Sequence, residues 1–472
     1  MRRVDGQEQP YIPCGIFKIR LPGVHYKLEK AEIMQGLIIG TTSLASVPIM
    51  TEYLGLSFEL AWSVAIFDTL LYLLHTLLGD PVVPGYVTSA LPLVIIYLLK
   101  FPIGPERTQA MICVQVLLGL IFLIMGITKL AGFVVNRIPN AIKGGILLAA
   151  PISVIQNEFS ATGRFNLYPI AIIVGVSLMA LISFSGVFSA LRKKVKLFDI
   201  MSKYGNLFPY LLAMFVGVAV GELGFPEFRL GTLFKLPDFS AIIAEISVFS
   251  VGMPRFSLWL EALPLAVIAY INAFGDFVTT ESLVNEAKAV RHDEYVDFNS
   301  NRSNIISGIR NMIMGFLSPL ACLCGPLWVG MTTSVSIRYR EGRNAMDSLI
   351  GGMGSFRLAT LVSAATVPVV YFMQPVFPVA ASMTLMFQGL VCGGIGMEFC
   401  KNANDRYMAG IMAAVLVFKG SLWGLCTGAF LYIILGSHKK ILARIKDNKE
   451  AAEVPAEIPE KITKDMVVSN IE

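Results

Sequence analysis

The sequence predicts an all-α polytopic membrane protein of about fourteen transmembrane segments in a 7+7 inverted repeat, with short extended stretches in spans 3 and 10. Three observations lead there: the composition, the length of the apolar runs, and two Pro-centred segments that recur at nearly one offset. The 472 residues are 55% hydrophobic and 15% charged, with a mean hydropathy of +0.67, where soluble domains carry about 25% charged residues. The apolar runs are about 20 residues long, which suits spanning helices and not the short alternating strands of a barrel.

Residues 1–30 are polar and mixed in charge, with no apolar core before a small-residue cleavage site, so no cleavable signal peptide is expected. Candidate spans follow near 33–50, 58–78, 83–99, 108–128, 141–156, 167–187 and 207–223, then 258–280, 304–320, 326–338, 356–373, 379–397, 408–419 and 422–436. Basic residues orient them. With the N-terminus inside, inner connections hold Lys129, Arg137 and Lys143, then Arg192 to Lys196, then Arg338, Arg340 and Arg343, then Lys401 and Arg406. Lys100 and Arg107 run against the pattern. Both termini are expected in the cytoplasm of a multi-pass inner-membrane protein, with a charged tail at 437–472.

The repeat rests on two pairs. "VPGYVTSALP" and "GPLWVGMTTS" share Pro-x-aromatic-Val at an offset of 242 residues from Pro84 to Pro326. "RIPNAIKGG" and "VFPVAASMT" match at 239 residues from Pro139 to Pro378. The common spacing covers about seven helices, an odd number, so the second half is inverted relative to the first. The same spacing sets Gln35 of the first span against the Asn272–Asp276 region of the eighth. Pro and Gly breaks leave backbone groups unpaired within the membrane, which only a cavity, water or a solute can satisfy.

Charged residues inside apolar runs are costly and mark function or pairing. Asn272 and Asp276, spaced i, i+4, share a helix face and offer an amide and a carboxylate to one cavity. The bland alternative ends the helix near Phe277 and leaves Asp276 as a cap. Glu281, next to the polar "NEAKAVRHDEYVDFNSNR", is a weaker candidate for ion coupling. Asp68 and His75 lie seven apart on the second span, as a proton relay or as partners of Arg310. Tyr86 and Trp328 could stack on a flat ring or merely pack. The seven cysteines and four scattered histidines offer no zinc spacing and no Ser/His/Asp triad, and no phosphate-binding loop is present. No cofactor and no metal are expected. The net charge of +5 speaks to membrane orientation and not to nucleic acid.

On "EIMQGLIIGTTSLASVPIMTEYLGL", "NRIPNAIKGGILL", "NAFGDFVTTESL" and "NRSNIISGIRNMIMGFLSPLACLCGPLWVGMTTS", residues 30–436 resemble the nucleobase/ascorbate (xanthine/uracil) permease superfamily, whose fold is shared by sulfate-permease-type transporters. The resemblance implies a core domain of spans 1–4 (31–128) and 8–11 (258–374) and a gate domain of spans 5–7 (129–225) and 12–14 (375–436). It places Gln35 and Asp276 at a substrate or coupling site; with the residue readings above, the expected substrate site is Gln35, Tyr86, Val87, Thr88, Asn272, Asp276, Thr280, Pro326, Leu327, Trp328 and Gly330, with Asp276, Glu281 and Asp68 as coupling candidates. One departure stands out: uracil-type permeases carry a Glu in the tenth-span motif, and "GPLWVG" has none.

The reading is an ion-coupled permease for a nucleobase-like or other small polar solute, driven by H⁺ or Na⁺, with Asp276 as the switchable charge. Its partners are the small solute, the coupling ion and the lipid bilayer, and a homodimer is an allowed assembly. The alternative is a sulfate-permease-like anion transporter, favoured by half-helix N-termini and Arg310. Remoter alternatives are a channel and an intramembrane aspartyl protease using Asp68 and Asp276, which the sequence separates by about six spans.

Overall fold

The computed structural model describes residues 4–161, 163–192, 194–203, 207–229 and 231–436. The charged tail expected at 437–472 lies outside the described residues.

Residues 4–29 form a strap across one end of a helical bundle. Its strands β1 (Ile12–Cys14) and β2 (Phe17–Ile19) pair antiparallel, Ile12 opposite Ile19. The polar composition is used for docking. Lys18 and Arg20 donate backbone bonds to Leu78 and Leu77 at 3.1 and 2.9 Å, and Gly6 donates to Asp293 at 2.9 Å. Lys18 also stands 2.6 Å from both Glu8 and Asp297.

Burial alone would push the Asp297 carboxyl up, but hydrogen bonds and charge from Lys18 and Arg302 outweigh it and hold the group below the usual carboxylate range. Such a group contributes stability that is fully present above its unfolded value of about 3.9 and lost as pH falls through the lower folded value. Below about pH 4 the strap is therefore expected to loosen. Amide exchange at Lys18 and Arg20 checks this, and Asp297→Asn should show the faster exchange already at neutral pH.

The bundle begins with α1 (Lys30–Ile39), a 3₁₀ stretch (Gly40–Ala45) and α2 (Ser46–Tyr53), so the first span is not one continuous α-helix. Then come α3 (Phe58–Leu71) and α4 (Leu73–Leu77), β3 (Gly85–Tyr86), α5 (Leu91–Leu98) and α6 (Pro105–Thr128). Pro105 opens α6 where its missing N–H costs nothing, and Lys129 closes it in the left-handed region at φ 59°. Next are α7 (Ala131–Arg137), α8 (Asn140–Glu158), α9 (Pro169–Phe184), α10 (Gly186–Arg192), α11 (Lys196–Lys203) and α12 (Leu207–Ala219). The short α13 (Phe239–Glu245) and α14 (Val248–Val251) precede α15 (Phe256–Val290). The chain continues through α16 (Ser300–Leu317), β4 (Cys324–Gly325), α17 (Val329–Arg340), α18 (Leu349–Ala364), α19 (Val367–Met373), α20 (Phe377–Phe399), α21 (Ala403–Lys419) and α22 (Ser421–Leu431).

Four helical segments of the described residues are long and apolar enough to cross a bilayer unaided: Phe58–Leu77, Pro105–Thr128, Phe256–Val290 and Val367–Phe399. A fifth results if α9 and α10, bent by 70°, count together. The chain is a multi-pass helical membrane protein. At 35 residues, α15 is about 50 Å long, more than the roughly 30 Å hydrocarbon core. It runs on past Phe277 to Val290, so Asp276 is interior to the helix and does not cap it.

Small residues let the helices close up. On α16, a Cβ at Gly308 would sit 2.9 Å from the Gly119 carbonyl of α6, the close backbone approach that small residues permit in membranes. Helix α8 lies antiparallel to α20: Gly144 faces Gly396 and Cys400 near the strap end, and Glu158 meets Ser382 at the far end.

Candidate functional site

The two Pro/Gly-broken segments meet. β3 and β4 pair antiparallel, Gly85 opposite Gly325 and Tyr86 opposite Cys324, and Val87 adds a backbone bond to Leu323 at 3.1 Å. Leu323 is held in the left-handed region at φ 51°, a strained setting for a branched side chain that clusters at functional sites. From this crossing a 3₁₀ turn (Thr88–Ala90) with α5, and α17, start inside the bundle. The Trp328 side chain gives α17 no capping bond. The first N–H groups of each half-helix, with the positive end of its dipole, are thus directed at one place.

At its two glycines the crossing tolerates no side chain. A Cβ on Gly325 would lie 2.7 Å from the Tyr86 carbonyl carbon, whereas one on Gly330 would meet nothing within 4 Å. Gly325→Ala is expected to cost about 1–3 kcal/mol, the usual range for overpacking. It should lower the melting midpoint while Gly330→Ala stays near wild type.

A cavity of about 800 Å³ opens beside the crossing. One wall holds Tyr72, Tyr86, Val87, Thr88, Leu327, Trp328 and Gly330, and α15 adds Asn272, Asp276 and Thr279. The opposite wall comes from α8, α12 and α20 with Lys143, Tyr210, Thr384 and Gln388. Tyr210 and Thr384 share a hydroxyl contact of 2.9 Å. The cavity extends toward the strap end, where Lys143 at the start of α8 and Phe399 at the end of α20 flank it. At the far end the helices are tied shut. Arg164 bonds Glu158 at 2.5 Å and the Tyr53 hydroxyl at 3.0 Å and pairs with Glu52 at 3.3 Å, while Ser382 donates to Glu158 at 2.5 Å.

Eight of the expected substrate-site residues line the cavity: Tyr86, Val87, Thr88, Asn272, Asp276, Leu327, Trp328 and Gly330. Asn272 Nδ2 has no hydrogen-bond partner among the described residues, and the half-buried Asp276 carboxylate has no ion pair among them. The other expected residues lie off the cavity wall. Gln35 is drawn to α17, where its amide donates to Ser334 at 3.1 Å. Thr280 is buried and donates to the Asp276 backbone carbonyl at 2.8 Å. Pro326 sits within the crossing and is not on the cavity wall. Glu281 is exposed, two residues past Thr279, the last residue of α15 on the cavity wall.

Asp68 is fully buried behind the crossing, paired with Arg310 at 3.4 Å. Arg310 also donates to the Gly325 carbonyl at 3.1 Å, and His75 Nε2 lies 3.4 Å from it. The other His75 nitrogen meets Asp80 at 2.8 Å, and Ser303 donates to Asp80 at 2.5 Å. This network anchors the crossing; Asp68 does not reach the cavity. Sequence reasoning missed Arg357, which is buried midway along α18. Placing that span at 356–373 made Arg357 an end residue, when the helix starts at Leu349.

No family model matches the sequence, and no curated protein matches it. Solved structures do. The transmembrane domain of the cyanobacterial bicarbonate transporter BicA aligns with a TM-score of 0.52 at 13% identity, over 86% of this chain and 99% of that one. SLC26A9 aligns with a TM-score of 0.52 at 13% identity, over 86% of this chain and 65% of its own. The murine Slc26a9 anion transporter in its inward-facing state aligns at 0.51 and 15% identity, over 88% and 70%. These neighbours are of the sulfate-permease type, so the shared fold stands and the nucleobase/ascorbate assignment is without support. The chain has the fold of the transmembrane domain of BicA and SLC26A9.

Proposed function

We propose that this protein is a secondary transporter of a small anion, working by alternating access in the inner membrane. One observation carries the reading: a single cavity sets two half-helix N-termini and the carboxylate of Asp276 around the same space. Helix N-termini attract anions. An anion beside an ionised Asp276 is repelled, so the two share the cavity only when a proton or sodium ion neutralises the carboxylate. Coupling to a cation follows from that juxtaposition. The structural neighbours, one a bicarbonate and one an anion transporter, support the substrate class.

In this reading the core domain is 31–128 with 258–374, the gate domain is 129–225 with 375–436, and the fourteen spans form two inverted sevens. The strap lies in the cytoplasm. The cavity then opens inward and the Arg164–Glu158–Glu52 ties close the outer side. Reconstitution into vesicles tests the proposal. Uptake of bicarbonate, chloride or sulfate that rises with an imposed proton or sodium gradient is expected. Uptake of uracil or xanthine alone would return the nucleobase reading, and anion flux indifferent to both gradients would remove the cation coupling.

A further inference from the structure

Arg357 is a buried cation with no acceptor in contact. It is 0% exposed, and among the described residues none of its three guanidinium nitrogens has a hydrogen-bond partner. Buried charges are ordinarily paired, and an unsatisfied one in a native fold calls for an explanation. Arg357 stands 4.0 Å over the Tyr72 ring and 5.3 Å from the Trp328 ring centroid. Arg310 stands over the same Tyr72 ring at 4.5 Å. The carboxylates nearby serve other residues, each through one oxygen: Asp68 Oδ1 pairs with Arg310, and Asp80 Oδ2 meets His75 and Ser303, and neither makes an ion pair with Arg357 among the described residues.

Tyr72 and Trp328 are themselves cavity wall. Arg357 therefore sits one aromatic ring behind the cavity, at the end where the half-helices start. The charged residues of the lining are Asp276 and Lys143, and Lys143 lies toward the strap end, away from the crossing. At the crossing the positive field comes from two helix N-termini, each equivalent to about half a charge, and from the full charge of Arg357.

We infer that Arg357 sets the charge of the transported solute: its guanidinium is the counter-charge, acting through the Tyr72–Trp328 wall, for a small inorganic anion held at the two half-helix N-termini. The inference rests on the anion reading above. With no carboxylate paired to it, the guanidinium keeps its full charge available across the Tyr72 ring to a solute in the cavity. Arg357 is a specificity-determining residue that does not touch the solute.

The test uses the purified full chain with sodium held constant. Its melting midpoint is followed against bicarbonate, chloride and sulfate, with uracil as a neutral probe, in wild type, Arg357→Gln and Arg357→Lys. Ligand binding to the folded state raises the midpoint. Wild type is expected to be stabilised by at least one anion and not by uracil. Arg357→Gln should need on the order of tenfold more of that anion. Arg357→Lys, which keeps the charge and loses the flat stacking surface, should bind within about threefold of wild type. Unchanged anion binding in Arg357→Gln would overturn the role of Arg357 and leave the anion reading intact. A wild type that no anion stabilises would overturn both. If Arg357→Gln does not fold, Arg357→Lys decides: retained anion binding supports a charge role, and lost binding in a folded protein refutes it.

Discussion

Asp276→Asn is expected to uncouple transport while leaving the fold intact. The substitution is nearly isosteric and fixes the side chain in a neutral form, so the variant mimics the cation-loaded state permanently. The carboxylate has no ion-pair partner among the described residues, so removing its charge strands no buried cation. Unfolding free energy should stay within about 0.5 kcal/mol of wild type, since no buried pair is broken. Gradient-driven accumulation should fall at least about 30-fold, corresponding to loss of a charge interaction of about 2–5 kcal/mol. Exchange of internal for external anion, which needs no net cation movement, should persist and lose its dependence on proton or sodium concentration. A variant whose uptake still follows the gradient would clear Asp276 of coupling and leave Lys143 as the charged side chain on the cavity wall.

The contrast between Asp276 and Gln35 shows what the sequence could carry. Asn272 and Asp276 lie within one uninterrupted helix, so i, i+4 spacing alone put them on one face, and the cavity holds both. Gln35 was set opposite them by the repeat offset, but the stretch from Gly40 to Ala45 is 3₁₀ and not α. Gln35 lies in α1, ahead of that stretch, and its amide meets Ser334 of α17. The two Pro-x-aromatic-Val segments marked the crossing because extended backbone in a membrane needs a partner, and each is the other's partner. The pairing of Asp68 with Arg310 was legible for the same reason, since a charge inside an apolar run must find its opposite. The far wall was not legible. Tyr210, Thr384 and Gln388 are uncharged, sit in ordinary apolar helices and gain meaning only from tertiary placement.

Arg310→Met is expected to be the most destabilising single change in the crossing. Arg310 is fully buried and holds three things together: the Asp68 carboxylate at 3.4 Å, the Gly325 carbonyl at 3.1 Å and the Tyr72 ring at 4.5 Å. Methionine fills much of the volume but leaves Asp68 charged and 0% exposed, with the Cys324 thiol at 3.5 Å as a weak donor. Breaking one side of a buried pair costs about 3–5 kcal/mol, more than the intact pair itself contributes, because the remaining charge is stranded. Lysine should not rescue it, since one ammonium cannot reach carboxylate and carbonyl with the planar fork that Arg310 uses. The diagnostic is the double variant. Arg310→Met with Asp68→Asn removes the stranded charge and should recover part of the loss, giving a coupling of about 1–3 kcal/mol in a double-mutant cycle. Additive losses would mean that the two side chains act independently, and that the crossing of β3 and β4 is held by its backbone pairing and by the Asn311 amide, which brackets Cys324 at 2.7 and 3.1 Å.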